Sequence, residues 1–174
     1  MCYSADELIE TLFRLPRHKT MQILKDHVGR MADDEWLRAL GARWSMIENI
    51  TDHADFLIDD SPLADAERPV HAMMTDDEID AWSRLPNIVD LYRGCLKGIN
   101  EYGICYSLDR NVAEGFCRRA LCRSDESDLV LLHCQAQKND IIAVKLCRSE
   151  QEIIVDKCMI IDDLFGNFNY GMDE

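Results

Sequence analysis

Residues 148 to 155 read Arg-Ser-Glu-Gln-Glu-Ile-Ile-Val, and Glu150 and Glu152 stand two positions apart at the entrance to an apolar run of strand length. Along an extended segment side chains alternate between faces, so the two carboxylates point the same way. Like charges side by side repel. Either solvent bathes both at an open strand entrance, or the repulsion is relieved by a cation, a metal, or a substrate that carries or develops positive charge. Two further stretches carry complementary chemistry. Leu91-Tyr92-Arg93-Gly94 places an arginine at the end of an apolar strand, where its planar fork could hold a phosphate pair bidentately or make a surface ion pair. Gly103-Ile104-Cys105-Tyr106-Ser107-Leu108-Asp109 leads a strand bearing a hydroxyl into a helix carrying Phe116, which is also the pattern of an ordinary strand-to-helix corner with the phenylalanine in the core.

Those residues need elements to position them. The first half of the chain reads as helices. Ser4-x-x-Glu7 is a capping-box pattern that opens a helix with Leu8, Ile9, Leu12 and Phe13 at helical spacing, and Pro16 stops it. A second helix runs from about Thr20 to the stop at Gly29, and a third from about Ala32 to Ile50 on a stripe of Trp36, Leu37, Leu40, Trp44 and Ile47. The acidic stretch from Asp59 to Pro69 reads as a loop, and Thr75-x-x-Glu78 caps a fourth helix ending near Leu85-Pro86. After Pro86 the pattern changes to strands: Ile88 to Tyr92, Gly103 to Ser107, Leu129 to Ala136, Ile141 to Leu146, Glu152 to Val155 and Cys158 to Ile161. A helix from Arg110 to Leu121, capped by Asp109, separates the second and third of them. The expected fold class is therefore α+β, a helical segment over residues 1–86 followed by a β-rich core over 87–174, forming one compact unit.

The chain of 174 residues carries a net charge of -14, distributed as -9 over residues 1–86 and -5 over 87–174. So acidic a surface is repelled by nucleic acid and by anionic membranes, which argues against direct binding to either. No stretch has the length and apolarity of a membrane span, and the first residues lack the basic start and apolar core of a signal peptide, so a cytoplasmic protein is expected. Eight cysteines lie scattered with no C-x-x-C among them, as expected of reduced thiols packed as small hydrophobes. His133 and Cys134, with Cys117 and Cys122, have metal-binding side chains, but neighbours on a strand face opposite ways, so no metal site is expected.

The common nucleotide, serine-hydrolase and zinc-protease signatures are missing: no G-x-G-x-x-G, no G-x-x-x-x-G-K-[ST], no G-x-S-x-G and no H-E-x-x-H occurs. The three stretches taken together, Tyr92-Arg93-Gly94, then Cys105-Tyr106-Ser107, then Glu150-Gln151-Glu152 followed by Ile153-Ile154-Val155, resemble the R-S-E class of ADP-ribosyltransferases. In that class an arginine ends one strand, a Ser-Thr-Ser motif starts the next and Glu-x-Glu opens a later one. Gly103 to Arg110 and Lys138 to Arg148 also resemble a bacterial and phage branch of the same fold. The resemblance spans about residues 86–161 and leaves the N-terminal helices unmatched.

The resemblance implies a split β-sheet core that takes NAD as substrate and transfers ADP-ribose to a protein side chain, arginine by analogy, or to water. No metal is required. Cleavage of the nicotinamide–ribose bond passes through a transition state of oxocarbenium character, as in glycoside hydrolysis. Glu152 would stabilise that charge and Glu150 would orient or deprotonate the acceptor. Arg93, flanked by Tyr92 and Gly94, would hold the pyrophosphate, and Phe116 would stack on nicotinamide or pack. Cys105 stands where the family has a serine that orients the catalytic glutamate; Ser107 with Cys105 would set that glutamate, or the weaker thiol donor would reduce activity. A phage or bacterial effector with a basic protein acceptor fits this reading. Its alternatives are a non-enzymatic acidic protein that mimics nucleic-acid charge, and a pseudoenzyme of the same fold.

Overall fold

The computed structural model describes residues 4–99, 101–120, 128–146 and 151–166. Helix α1, Ala5–Arg14, opens with the capping box: the Ser4 hydroxyl accepts from Glu7 N–H and the Glu7 carboxylate accepts from Ser4 N–H. Helix α2, Thr20–His27, ends before Gly29, whose φ of 70° suits a residue with no Cβ. Helix α3, Asp33–Arg43, is shorter than the spacing predicts. The chain leaves it through a 3₁₀ turn at Trp44–Met46, runs extended at Ile47, and turns at Asn49, which adopts a left-handed φ of 53°. Asparagine tolerates that conformation better than most residues, and a helix cannot continue through it. A further 3₁₀ turn spans Ile50–His53 and a π-helical turn Phe56–Asp60, so the acidic stretch begins within helical backbone. Helix α4, Asp76–Ser83, has a second capping box, from Thr75 and Glu78.

The second half forms a six-stranded antiparallel sheet in the order β4-β5-β2-β1-β3-β6, with β1 Ile88–Leu96, β2 Cys105–Ser107, β3 Leu129–Gln137, β4 Ile141–Lys145, β5 Glu152–Val155 and β6 Met159–Asp163. Helix α5, Arg110–Ala120, connects β2 toward β3. Pairing is uneven. β1 and β3 match from Ile88 opposite Gln137 to Leu96 opposite Leu129, whereas β1 and β2 meet at Tyr92 opposite Ser107 alone among the described residues. The sheet therefore consists of two limbs, β4-β5-β2 and β1-β3-β6, joined at one narrow point.

Helices α1–α3 bury Leu8, Leu12, Leu24, Trp36 and Leu40, with Leu57 of the π-helical turn, in a core that also holds Ile104, Ile142, Ala143 and Ile154 of the sheet half. That core is continuous across the boundary between the halves, and Val70 N–H donates to the Ile142 carbonyl at 2.8 Å. Helix α5 packs on the same side of the other limb, where Ala113 and Cys117 meet Leu129 and Leu131. The opposite side of the sheet is closed by Val89, Leu91, Val130, Leu132, Val144 and Ile153, with Ala81 and Trp82 of α4 packed against them. Among the described residues no helix is long and apolar enough to cross a membrane.

Candidate active site

Lys145, Glu152, Ser107, Tyr92, His133 and Asp162 stand opposite one another in turn across all six strands. Directly paired residues on antiparallel strands present their side chains to one face. Three of the residues singled out in the sequence, Glu152, Ser107 and Tyr92, thus lie side by side. They sit where the α1–α3 cover ends and α5 begins. A cavity of about 420 Å³ opens between the two covers, in the size range of small-molecule sites, and is lined by Tyr92, Arg93, Gly94, Cys105, Ser107, Phe116 and Glu152. All the predicted site residues but one therefore reach the same cavity; Glu150 lies outside the described residues.

Arg93 reaches the cavity by a different route. Its neighbours Tyr92 and Gly94 face α5, and alternation turns Arg93 to the other side, over Tyr106 with the guanidinium carbon 5.7 Å from the ring centroid. Because β1 and β2 part beyond the Tyr92–Ser107 pair, the guanidinium occupies the gap between the limbs. There Nη1 donates to the Cys105 carbonyl at 2.5 Å and Nη2 lies 3.4 Å from the Thr51 hydroxyl. Arg93 is only 9% exposed, so its charge sits in a poorly solvated wall of the cavity, where a phosphate would gain most from it.

Glu152, half-buried at the start of β5, accepts a hydrogen bond from the Trp44 indole N–H, at 3.1 Å through Oε1. The Cys105 thiol lies against the same carboxylate. Burial pushes this thiol well above its ordinary value, and the negative charge of Glu152 adds to the effect. Cys105 is therefore a neutral thiol, able to donate weakly to Glu152. Ser107 is 6% exposed and accepts from Asp109 N–H at 3.0 Å, a local turn that sets the entry to α5, where Asp109 in turn accepts from Asn111 N–H. Cys105 and Ser107 are the residues expected to set the glutamate; among the described residues Cys105 lies against Glu152 together with Trp44, and Ser107 stands opposite it on β2 with its hydroxyl engaged by Asp109 N–H.

Gly94 admits α5 to this corner, for a Cβ there would stand 2.0 Å from the Ala113 carbonyl oxygen. The Tyr92 ring is stacked on His133, with centroids 5.1 Å apart and planes at 15°. Phe116, 43% exposed, sits at the cavity rim rather than in the core. His133 is bonded to Asp90 at 2.8 Å. Among the described residues no group of three His, Cys, Asp or Glu side chains is placed to hold a metal, and Cys122 lies outside them.

Sequence reasoning missed the wall contributed by the helical half, Ile47, Asn49, Ile50 and Thr51, together with Trp44 behind it. Trp44 falls on an apolar helical stripe and reads as core; nothing in the sequence signals that its indole meets a carboxylate 108 residues away. A larger cleft of about 670 Å³, between Asp55, Asp59, Arg68, Tyr102, Asp140 and Lys157, is walled largely by exposed charged groups and holds no comparable convergence. Comparison with protein-family models, with curated proteins and with solved structures returns no match for this chain.

Proposed function

We propose that the protein is an NAD-consuming ADP-ribosyltransferase, with the cavity between the two sheet limbs as its active site. The observation that carries this reading is the meeting of Arg93, Ser107 and Glu152, from the neighbouring strands β1, β2 and β5, around one cavity that Phe116 borders. A buried guanidinium and a partly buried carboxylate on the same cavity suit a substrate with a diphosphate at one end and a developing cation at the other.

Arg93 binds the diphosphate of NAD, and its bond to the Cys105 carbonyl keeps the fork fixed. The bond from ribose C1′ to the nicotinamide nitrogen breaks, the electron pair leaving with neutral nicotinamide. Glu152 stabilises the oxocarbenium charge on the ribose and hydrogen-bonds its 2′-hydroxyl. An acceptor nucleophile forms the new bond to C1′ and gives up its proton, to Glu150 in this reading. The acceptor is a protein side chain, arginine by analogy with the R-S-E class, and water in its absence. Incubation with etheno-NAD and a cell lysate tests the proposal. Wild type is expected to label a protein band and Glu152→Gln to abolish the label; equal behaviour of the two proteins would overturn it.

A further inference from the structure

We infer that Trp44, supplied by the helical half of the chain, is the positioning residue for the carboxylate of Glu152. The inference rests on the reading of Glu152 as the group that stabilises the ribose cation. Trp44 is 3% exposed and follows α3 immediately, in the 3₁₀ turn Trp44–Met46. Its Nε1–H donates to Glu152 Oε1 at 3.1 Å, and the Cys105 sulfur lies beside the same N–H. A carboxylate at the mouth of a strand can rotate about its side-chain torsions, and a misplacement of about 1 Å can lower a rate about 100-fold. Among the described residues that donate to Glu152, the Cys105 thiol is a weak donor, whereas an indole N–H bonded to a carboxylate is charge-assisted and roughly twice as strong as a neutral pair. The early end of α3 has its consequence here. Had the helix run on to Ile50, Trp44 would have remained one more residue of an apolar stripe; the 3₁₀ turn and the left-handed Asn49 instead carry the chain round to form the cavity wall.

Thr51, on the same segment, meets Arg93 at 3.4 Å. Residues 44–51 therefore reach both charged groups of the site, and the helical half is part of the active centre rather than a cover laid upon it.

The indole nitrogen alone can be altered by replacing Trp44 with 3-benzothienylalanine, in which sulfur takes the place of N–H at nearly constant shape. The expected result is a fall of about ten-fold in kcat for nicotinamide release, equivalent to about 1.4 kcal/mol, with KM for NAD and melting temperature close to wild type. An unchanged kcat in the substituted protein would overturn the inference, since a purely structural tryptophan would tolerate the change. A second readout is independent of activity: the Trp44 indole proton, identified by its loss in Trp44→Phe, should move upfield in the NMR spectrum of Glu152→Ala. A stationary signal would overturn the assignment of Trp44 to Glu152. A signal that moves in a protein releasing no nicotinamide would leave the contact standing and bring down the transferase reading instead.

Discussion

Gly103 lies where a Cβ would stand 2.1 Å from Nη2 and 2.5 Å from the guanidinium carbon of Arg93. The glycine makes room for the charged end of a flexible side chain, not for backbone. Gly103→Ala should therefore displace the guanidinium without unfolding the protein. A KM for NAD raised about ten-fold, as for the loss of one charge-assisted hydrogen bond, is expected with little change in melting temperature. Steady-state kinetics beside a thermal melt checks this, and an unaltered KM would count against Arg93 as the diphosphate ligand.

Gly94→Ala should behave oppositely. The obstacle there is the Ala113 carbonyl at 2.0 Å and the Cys117 sulfur at 2.8 Å, so α5 itself must shift. Overpacking of this kind destabilises by about 1–3 kcal/mol. Urea denaturation should show that loss, while nicotinamide release per folded molecule falls as α5 draws Phe116 and Ala113 away from the cavity.

The α4 helix is fastened to the sheet by a buried ion pair, Lys145 Nζ to Glu78 Oε2 at 2.7 Å. Burial raises the Glu78 carboxyl, but hydrogen bonds from Lys145, Thr75 N–H and Leu146 N–H outweigh it and hold the group below its ordinary 4.5. A depressed carboxylate contributes stability that is fully present above its unfolded value and is lost as pH falls through the folded one. Glu78→Gln, which leaves the buried Lys145 charge with the Met73 carbonyl at 2.8 Å but without the Glu78 carboxylate, should cost about 3–5 kcal/mol near neutral pH. The gap between variant and wild type should narrow on acidification below about pH 4.5. Chemical denaturation over a pH series measures both.

Cys158 is half-buried, and its thiol is held below its ordinary value by a hydrogen bond from Cys134 first, then by one from Tyr106 and the charge of Arg93, against the opposing effect of burial. Cys95, by contrast, is pushed up to about 12 by its burial. Thiolates react with alkylating agents and thiols do not. Iodoacetamide followed by mass spectrometry should modify Cys158 well before Cys95, with a rate that rises at a lower pH than for Cys95, and Cys134→Ala should move that rise to higher pH. Equal rates at the two sites would refute this.

Much of the strand layout was legible because apolar, β-branched runs bounded by turn residues leave few alternatives; β5, Glu152–Val155, begins and ends where its sequence predicts. The capping boxes at Ser4 and Thr75 likewise name their helices from local chemistry alone. The sequence pattern overextends helix α3 because the stripe through Trp44 and Ile47 keeps helical spacing after the backbone has left the helix, and the Asn49 conformation that breaks it is a tolerance, not a demand, of asparagine. Arg93, Ser107 and Glu152 stand out in the sequence through their order along the chain, and the structure brings them to one cavity. The narrow β1–β2 junction that lets Arg93 turn into the cavity depends on pairing between distant strands, and the indole of Trp44 on packing between halves, and neither leaves a local trace.

The central claim concerns charge developing on a ribose beside Glu152. Release of nicotinamide from NAD by the purified protein, followed chromatographically beside Glu152→Gln and Arg93→Lys, addresses it most directly. The account predicts measurable release by wild type, a loss of about 100-fold or more with the neutral amide, and a weakened KM when the fork becomes an ammonium. Release that is absent from wild type, or undiminished in Glu152→Gln, would contradict it.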